Sequence, residues 1–183
     1  MTLALPRTRP SGRAFAVVPR LMARSAATAV RRSPATLLLL AVLCATSATL
    51  LVARADVDSL ILLHVSSNLH HIEQLRLGVL IASAFWLENP VQFGAWALLF
   101  LLVVAPTEAW LGTWRSVAVF AAGHVGATLV TLGGIYLAIQ SGLAGDNLAR
   151  SMDVGVSYGF FAVAGILIYR LPRRWRIPYA AVL

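Results

Sequence analysis

Long apolar runs alternate along this chain with short polar or charged islands. A helix needs about 20 residues to cross the hydrocarbon layer of a bilayer, and three runs reach that length almost without charge: Ala35–Ala53, Ser116–Ile139 and Asp153–Leu171. Another span is expected at about 91–107, because Pro90 divides the apolar stretch that begins at Leu77. Hydrophobic residues make up 59% of the chain, which is well above a soluble domain. The pattern therefore predicts an all-α, polytopic transmembrane helix bundle of about four spans.

Two further segments lie beside these spans. Residues 77–87 have the composition of an amphipathic helix in the interface, with Phe85 and Trp86 at the headgroup boundary. Residues 175–183 turn apolar after a tryptophan and an arginine, as spans often begin, so we interpret them as the start of a fifth span. Nine residues cover only about 13 Å of a hydrocarbon core of about 30 Å. We therefore expect the chain to be a truncated reading of a longer gene, or a decayed one.

The arginines predict the orientation of the bundle. The net charge of +8 comes from 15 arginines, with no lysine. Seven of them precede the first span in residues 1–34, which we interpret as a disordered cytoplasmic tail ahead of a membrane domain of residues 35–183. Four more follow the last full span: Arg170, Arg173, Arg174 and Arg176. Placing both clusters inside obeys the positive-inside rule. Loops 54–76 and 140–152 then face outside, and residues 107–114 form a short inner turn.

This topology predicts a multi-pass protein of the cell (plasma) membrane with a cytoplasmic N-terminus. It also accounts for the positive charge, so membrane lipids are the expected partners and nucleic acid is not. The absence of lysine indicates GC-rich coding and a bacterial source. No cofactor is predicted, and the single cysteine, Cys44, allows no intrachain disulfide.

Ser157 lies between two glycines at the outer end of the fourth predicted span. If the helix begins at Asp153, Ser157 is about 6 Å below the outer face, where water from outside could reach a nucleophile. The same spacing makes Gly155 and Gly159 a small-residue face that lets helices approach closely. Serine is common on such faces, so spacing alone favours a packing role.

His124 is the candidate base within the membrane. A serine nucleophile needs a base to take its proton, but the two residues differ in depth by about 11 Å when both helices are upright. His124 shares a face with Thr128 and Thr131 at i, i+4 and i+7, which we expect to point into the bundle. An ionisable residue in a span is a functional candidate, but we expect this histidine to hydrogen-bond to a neighbouring helix.

The other three histidines, His64, His70 and His71, lie in the predicted outer segment. Imidazole suits zinc or copper, but only Glu73 is close enough in sequence to complete a metal site. We therefore predict no metal site. A small transporter or metal-handling protein built around His124 and these histidines is the least favoured alternative.

Several motifs in the chain resemble the rhomboid intramembrane serine proteases. Glu108-Ala109-Trp110-Leu111-Gly112 looks like the Glu-x-x-x-Gly turn between the second and third rhomboid helices, and Gly155-Val156-Ser157 looks like the Gly-x-Ser that opens the fourth. A rhomboid-like family of actinobacteria is more similar still, on three segments: His64-Val65-Ser66-Ser67-Asn68-Leu69, Gly123-His124-Val125-Gly126-Ala127-Thr128 and Asp153-Val154-Gly155-Val156-Ser157-Tyr158-Gly159. The resemblance implies a rhomboid-like fold with Ser157 at the position of the nucleophile.

The chain departs from the protease pattern in two places. The helix that carries the histidine partner in rhomboids would follow Leu183, and the oxyanion-hole positions of the second helix fall on Gln92 and Trp96. In rhomboids the oxyanion-hole motif of the second helix has the spacing His-x-x-x-Asn. Here the outer segment repeats this spacing, with His64 and Asn68. Losing one oxyanion donor costs about 10²–10³ in rate. We therefore favour a non-catalytic protein that binds a transmembrane helix or lipid through the groove a protease would use. The alternative is an intramembrane serine protease, in a full-length form, with Ser157 as nucleophile.

Overall fold

The computed structural model describes residues 31–53, 55–74 and 78–183. Within these residues the fold is built from helices and connecting turns, which confirms the all-α prediction. In chain order the helices are α1 (Pro34–Val52), α2 (Ala55–Val65), α3 (Leu69–Glu73), α4 (Val79–Ala82), α5 (Pro90–Leu111), α6 (Thr113–Gln140), α7 (Ser157–Leu167) and α8 (Arg173–Val182). The predicted tail lies almost wholly outside the described residues.

Three helices in the described part are long and apolar enough to cross a membrane: α1, α5 and α6. Helix α7 is apolar but shorter, and a 3-10 turn at Ile168–Arg170 continues it. Helix α8 covers the predicted fifth span, and the Tyr179 hydroxyl donates a hydrogen bond of 2.9 Å to the Ala164 carbonyl of α7. This contact holds the two helices together.

Helix α5 differs in length from the predicted span. It begins at Pro90, where the Asn89 side chain accepts a hydrogen bond from the Val91 amide, and it includes a π-helical turn at Phe100–Val104. It then continues to Leu111, so the inner turn expected at 107–114 is shorter than predicted. The connection to α6 is Gly112 alone, with a φ of 92° that glycine adopts without strain.

The core lies between α1, α5 and α7, with α6 packed beside it. Phe100 and Phe160 form its centre, with ring centroids 5.6 Å apart, and Leu43 and Val163 are fully buried against them. Glycines bring α6 and α7 together, because a Cβ atom built at Gly159 would lie 2.5 Å from the Phe120 ring. Gly159 thus serves helix packing.

The two segments expected to lie outside the bundle are more structured than the sequence indicated. The outer segment 54–76 contains α2 and α3. The segment 77–87, expected to lie in the interface, contacts the bundle, and the residues buried there include Val79, Ser83 and Leu87. A hydrogen bond of 2.9 Å from the Thr46 hydroxyl to the Phe85 carbonyl fixes this segment against α1.

Candidate functional site

Ser157 is the first residue of α7. The sequence led us to expect the helix to begin at Asp153, but residues 153–156 are not helical. The cause is Gly155, which has a φ of 140°. Glycine adopts this backbone conformation readily, but the conformation cannot form part of a regular α-helix. Ser157 is half-buried, and among the described residues its hydroxyl has no hydrogen-bond partner. The assumption that the helix begins at Asp153, on which the expected depth of Ser157 rested, is therefore wrong.

His124 belongs to a buried polar cluster that contains Ser67, Ser83 and Asp153 as its other members. The Nε2 atom of His124 lies 3.1 Å from the Ser83 hydroxyl oxygen. The Ser67 hydroxyl lies 3.2 Å from Ser83 and 3.4 Å from Oδ2 of Asp153. Ser67, Ser83 and His124 are each at most 2% exposed. The histidine thus bonds to a serine, but to Ser83 and not to Ser157.

Backbone hydrogen bonds lock the segments that carry this polar cluster. The Ser67 amide donates to the Asp153 carbonyl at 3.0 Å, and the Asp153 amide donates to the Ser66 hydroxyl at 2.8 Å. The Gly155 amide donates to the Ser83 carbonyl at 3.0 Å. The three segments that resemble the actinobacterial family therefore meet at one place. One segment is the connection between α2 and α3, the second lies in helix α6, and the third precedes and begins α7.

Asp153 lies before α7, at the outer edge of the polar cluster. Burial raises the pKa of its carboxyl group, and hydrogen bonds from Ser67 and Tyr158 act in the opposite direction. The Tyr158 hydroxyl also lies 3.2 Å from the Thr131 hydroxyl of α6. Tyr158 thus connects the polar cluster to the polar face of α6.

The polar face of α6 points into the bundle. His124 stacks on Phe120, with centroids 6.5 Å apart and an interplanar angle of 6°. Thr128, one turn along the helix, is fully buried. In the described structure, neither Nδ1 of His124 nor the Thr128 hydroxyl has a hydrogen-bond partner. The imidazole is therefore oriented by its packing on Phe120 and by its hydrogen bond with Ser83.

The outer histidines and Asn68 form local contacts. The buried Asn68 side chain accepts a hydrogen bond of 2.9 Å from the His71 amide and caps α3. Nδ1 of His71 lies 2.8 Å from the Ser66 carbonyl, and His64 is exposed. Among the described residues, no group of three or more histidine, cysteine or acidic side chains could hold a metal ion. Asn68 thus has a structural role as a helix cap.

Glu108 lies at the opposite end of the bundle, inside α5 and 1% exposed. Its two carboxyl oxygens accept hydrogen bonds from the amides of Ala35 and Thr36, at 3.0 and 2.8 Å, and from the hydroxyls of Thr36 and Thr113, at 2.6 and 2.9 Å. Glu108 therefore caps the first turn of α1, where unpaired amides favour an acceptor. Gly112 follows one turn later and starts α6. The two residues join α1, α5 and α6 at this end.

Sequence reasoning missed Ser83 as the partner of His124 and Ser67 as the residue that links Ser83 to Asp153. Ser83 is one small polar residue in an apolar run, and nothing in its local sequence distinguishes it from a packing serine. Ser67 was visible only as part of the segment that resembles the actinobacterial family. The capping role of Glu108 was also missed, because its partners Ala35 and Thr36 are more than 70 residues away in sequence.

Comparison with known proteins gives one match. A family model described as rhomboid-like protein matches residues 28–183. No curated protein and no solved structure matches the chain.

Proposed function

Since the chain belongs to the rhomboid-like protein family, we propose that it is a non-catalytic member that binds a transmembrane helix or a lipid within the bilayer. One observation carries the non-catalytic part. The intramembrane histidine bonds to Ser83, whereas the Ser157 hydroxyl has no partner among the described residues. A serine hydroxyl is a weak nucleophile without an adjacent base. Ser157 therefore acts in this chain as the first residue of α7.

A cleft between α1 and α5 supports helix binding. It has a volume of about 400 Å³ and is lined by Cys44, Ser47 and Ala48 on α1 and by Val91 and Gly94 on α5, among others. Small residues on facing helices let a third helix approach closely. A Cβ atom built at Gly94 would meet nothing within 4 Å.

The charge distribution supports a location in the cell membrane with the N-terminus in the cytoplasm. Ser33, at the start of α1, donates a hydrogen bond to the Ala105 carbonyl, and Arg170, at the end of α7, donates one to the Pro106 carbonyl. Arg31 and Arg32, which directly precede Ser33, therefore lie at the same end of the bundle as Arg170. The positive-inside rule assigns that end to the cytoplasm.

The catalytic question is tested with a membrane-anchored reporter and a fluorophosphonate probe, using an active rhomboid protease as positive control. We expect neither reporter cleavage nor probe labelling above the level of a Ser157→Ala variant. Cleavage or labelling that depends on Ser157 would establish the protease alternative.

Helix binding is tested by photo-crosslinking with an unnatural amino acid at Val91, which borders the cleft. Val130 on α6 is the matched control, because both side chains are 77% exposed. We expect an adduct with a membrane-embedded peptide at Val91, little at Val130, and loss of the adduct when Gly94→Leu fills the cleft. Equal adducts at both positions would overturn helix binding in this cleft.

A further inference from the structure

A second pocket, of about 530 Å³, lies at the outer end of the bundle. Its walls include Leu69 and His70 of α3, Tyr136 and Gln140 of α6, and Asp146 and Arg150 of the 3-10 turn that follows α6. This volume is within the range of pockets that hold small ligands. The lining combines apolar with charged side chains, so the pocket is amphipathic.

The two charged residues of this pocket are not paired with each other. Asp146 and Arg150 are both exposed, and neither side chain forms an ion pair or a hydrogen bond among the described residues. An arginine side chain presents a planar set of donors that matches phosphate, and a carboxylate accepts hydrogen bonds from an ammonium group. A ligand that carries both groups would satisfy both residues.

The depth of the pocket indicates a lipid. Helix α6 has 28 residues and is therefore about 42 Å long, whereas the hydrocarbon core is about 30 Å thick. The last turns of α6, which carry Tyr136 and Gln140, must therefore reach the headgroup layer if the helix crosses near the bilayer normal. Tyrosine is common at that level. The neighbouring Leu143 is 85% exposed, as expected of a side chain that contacts lipid.

We propose that this outer pocket binds the headgroup of a zwitterionic phospholipid that has a primary ammonium group. Arg150 faces the phosphate, Asp146 accepts hydrogen bonds from the ammonium group, and Leu69 and Tyr136 line the path of an acyl chain. A quaternary ammonium cannot donate these hydrogen bonds, so the site prefers phosphatidylethanolamine to phosphatidylcholine. The pocket shares no residue with the cleft between α1 and α5, and it does not depend on the catalytic state of Ser157.

The experiment uses the full chain in detergent and measures the binding of short-chain phospholipids by native mass spectrometry and by thermal shift. Binding to the folded state raises the unfolding temperature with ligand concentration. We expect phosphatidylethanolamine to bind more tightly than phosphatidylcholine or phosphatidylglycerol. Arg150→Gln should weaken phosphatidylethanolamine binding by about 10-fold, the loss of one charged hydrogen bond. Asp146→Asn should reduce the preference over phosphatidylcholine.

Arg174→Gln is the matched control, since Arg174 is an exposed arginine at the other end of the bundle. It should bind phosphatidylethanolamine as the parent does. Equal affinity of the parent for all three lipids, or parent-like binding by Arg150→Gln, would overturn the proposal. Free phosphoethanolamine has the same headgroup without acyl chains, so it distinguishes a lipid ligand from a soluble one. If it binds as tightly as phosphatidylethanolamine, the assignment to a lipid is overturned.

Discussion

The Nε2 atom of His124 and the hydroxyl oxygen of Ser83 lie 3.1 Å apart in the interior of the bundle. Ser83 is fully buried and His124 is 2% exposed, so water does not reach either group from the surface. A buried polar group without a partner costs free energy. The pair therefore fastens the segment after α4 to the middle of α6, which is a structural use of residues that could otherwise be read as a catalytic dyad.

Ser83→Ala should lower the free energy of unfolding by about 1–3 kcal/mol, because it removes the partner of a buried imidazole nitrogen. His124→Phe removes the imidazole but keeps a ring on Phe120. The double variant should be less destabilised than the sum of the two single variants, by about 0.5–1.5 kcal/mol. Unfolding in mixed micelles with increasing denaturing detergent measures all three variants.

Ser141→Ala is the control for this cycle, since the Ser141 hydroxyl is exposed at the end of α6 and bonds only to its own helix. Its effect should stay within about 0.5 kcal/mol. If the Ser83 and His124 effects are additive, the hydrogen bond contributes nothing to stability.

Glu108→Ala should destabilise the protein by about 1–3 kcal/mol or more, because it leaves the buried Thr36 amide and hydroxyl without an acceptor. Thr36→Val removes one of the four hydrogen bonds and should cost less. Glu88→Ala is the control, because Glu88 is exposed. The same unfolding measurement applies, and similar stability of the Glu108 and Glu88 variants would contradict the capping role.

The length of the apolar runs was enough to locate the long helices. Helices α1 and α6 coincide closely with the predicted spans. A helix that crosses a bilayer needs a long run of apolar residues, and such a run can be recognised in the sequence. The start of α7 was missed by four residues, because Val154 and Val156 continue the apolar run while the φ of Gly155 interrupts the helix. A glycine in the sequence indicates a position where a positive φ is allowed, but it does not indicate whether the folded chain adopts that φ.

The polar cluster could not be predicted from local sequence. Ser67, Ser83, His124 and Asp153 come from four separate segments, and only the tertiary fold brings them together. The depth argument was wrong to place His124 and Ser157 about 11 Å apart, because their neighbours meet: a Cβ atom built at Gly123 would lie 3.6 Å from the Tyr158 carbonyl oxygen. It also had no means of finding Ser83. That residue lies in a segment we expected to rest in the interface, and its burial depends on contacts with α1 and α6.

Gly159→Leu should destabilise the bundle, because any side chain at this position meets the Phe120 ring at 2.5 Å. Overpacking of this kind costs about 1–3 kcal/mol. Gly165→Leu, on the same helix, is the matched control, since a Cβ atom there meets nothing within 4 Å. Ser157→Ala should also have little effect. A Gly165 variant as unstable as the Gly159 variant would indicate that helix propensity, and not the contact with Phe120, determines the loss.

The orientation of the bundle is tested by labelling single cysteines in a Cys44→Ala background, which is required because Cys44 is itself exposed. Asn147→Cys places an exposed thiol in the turn after α6, and Arg174→Cys places one at the start of α8. Ser67 would be unsuitable although it lies in the predicted outer segment, because it is 1% exposed.

A membrane-impermeant maleimide should label Asn147→Cys in intact cells and label Arg174→Cys only after permeabilisation. The reason is the arginine asymmetry, which holds the end with Arg31, Arg32, Arg170, Arg173 and Arg174 in the cytoplasm. Both variants should label equally in detergent, which excludes a difference in thiol reactivity. The opposite pattern would invert the topology and move the lipid pocket to the cytoplasmic leaflet. Labelling of both sites in intact cells would contradict an odd number of crossings between Asn147 and Arg174.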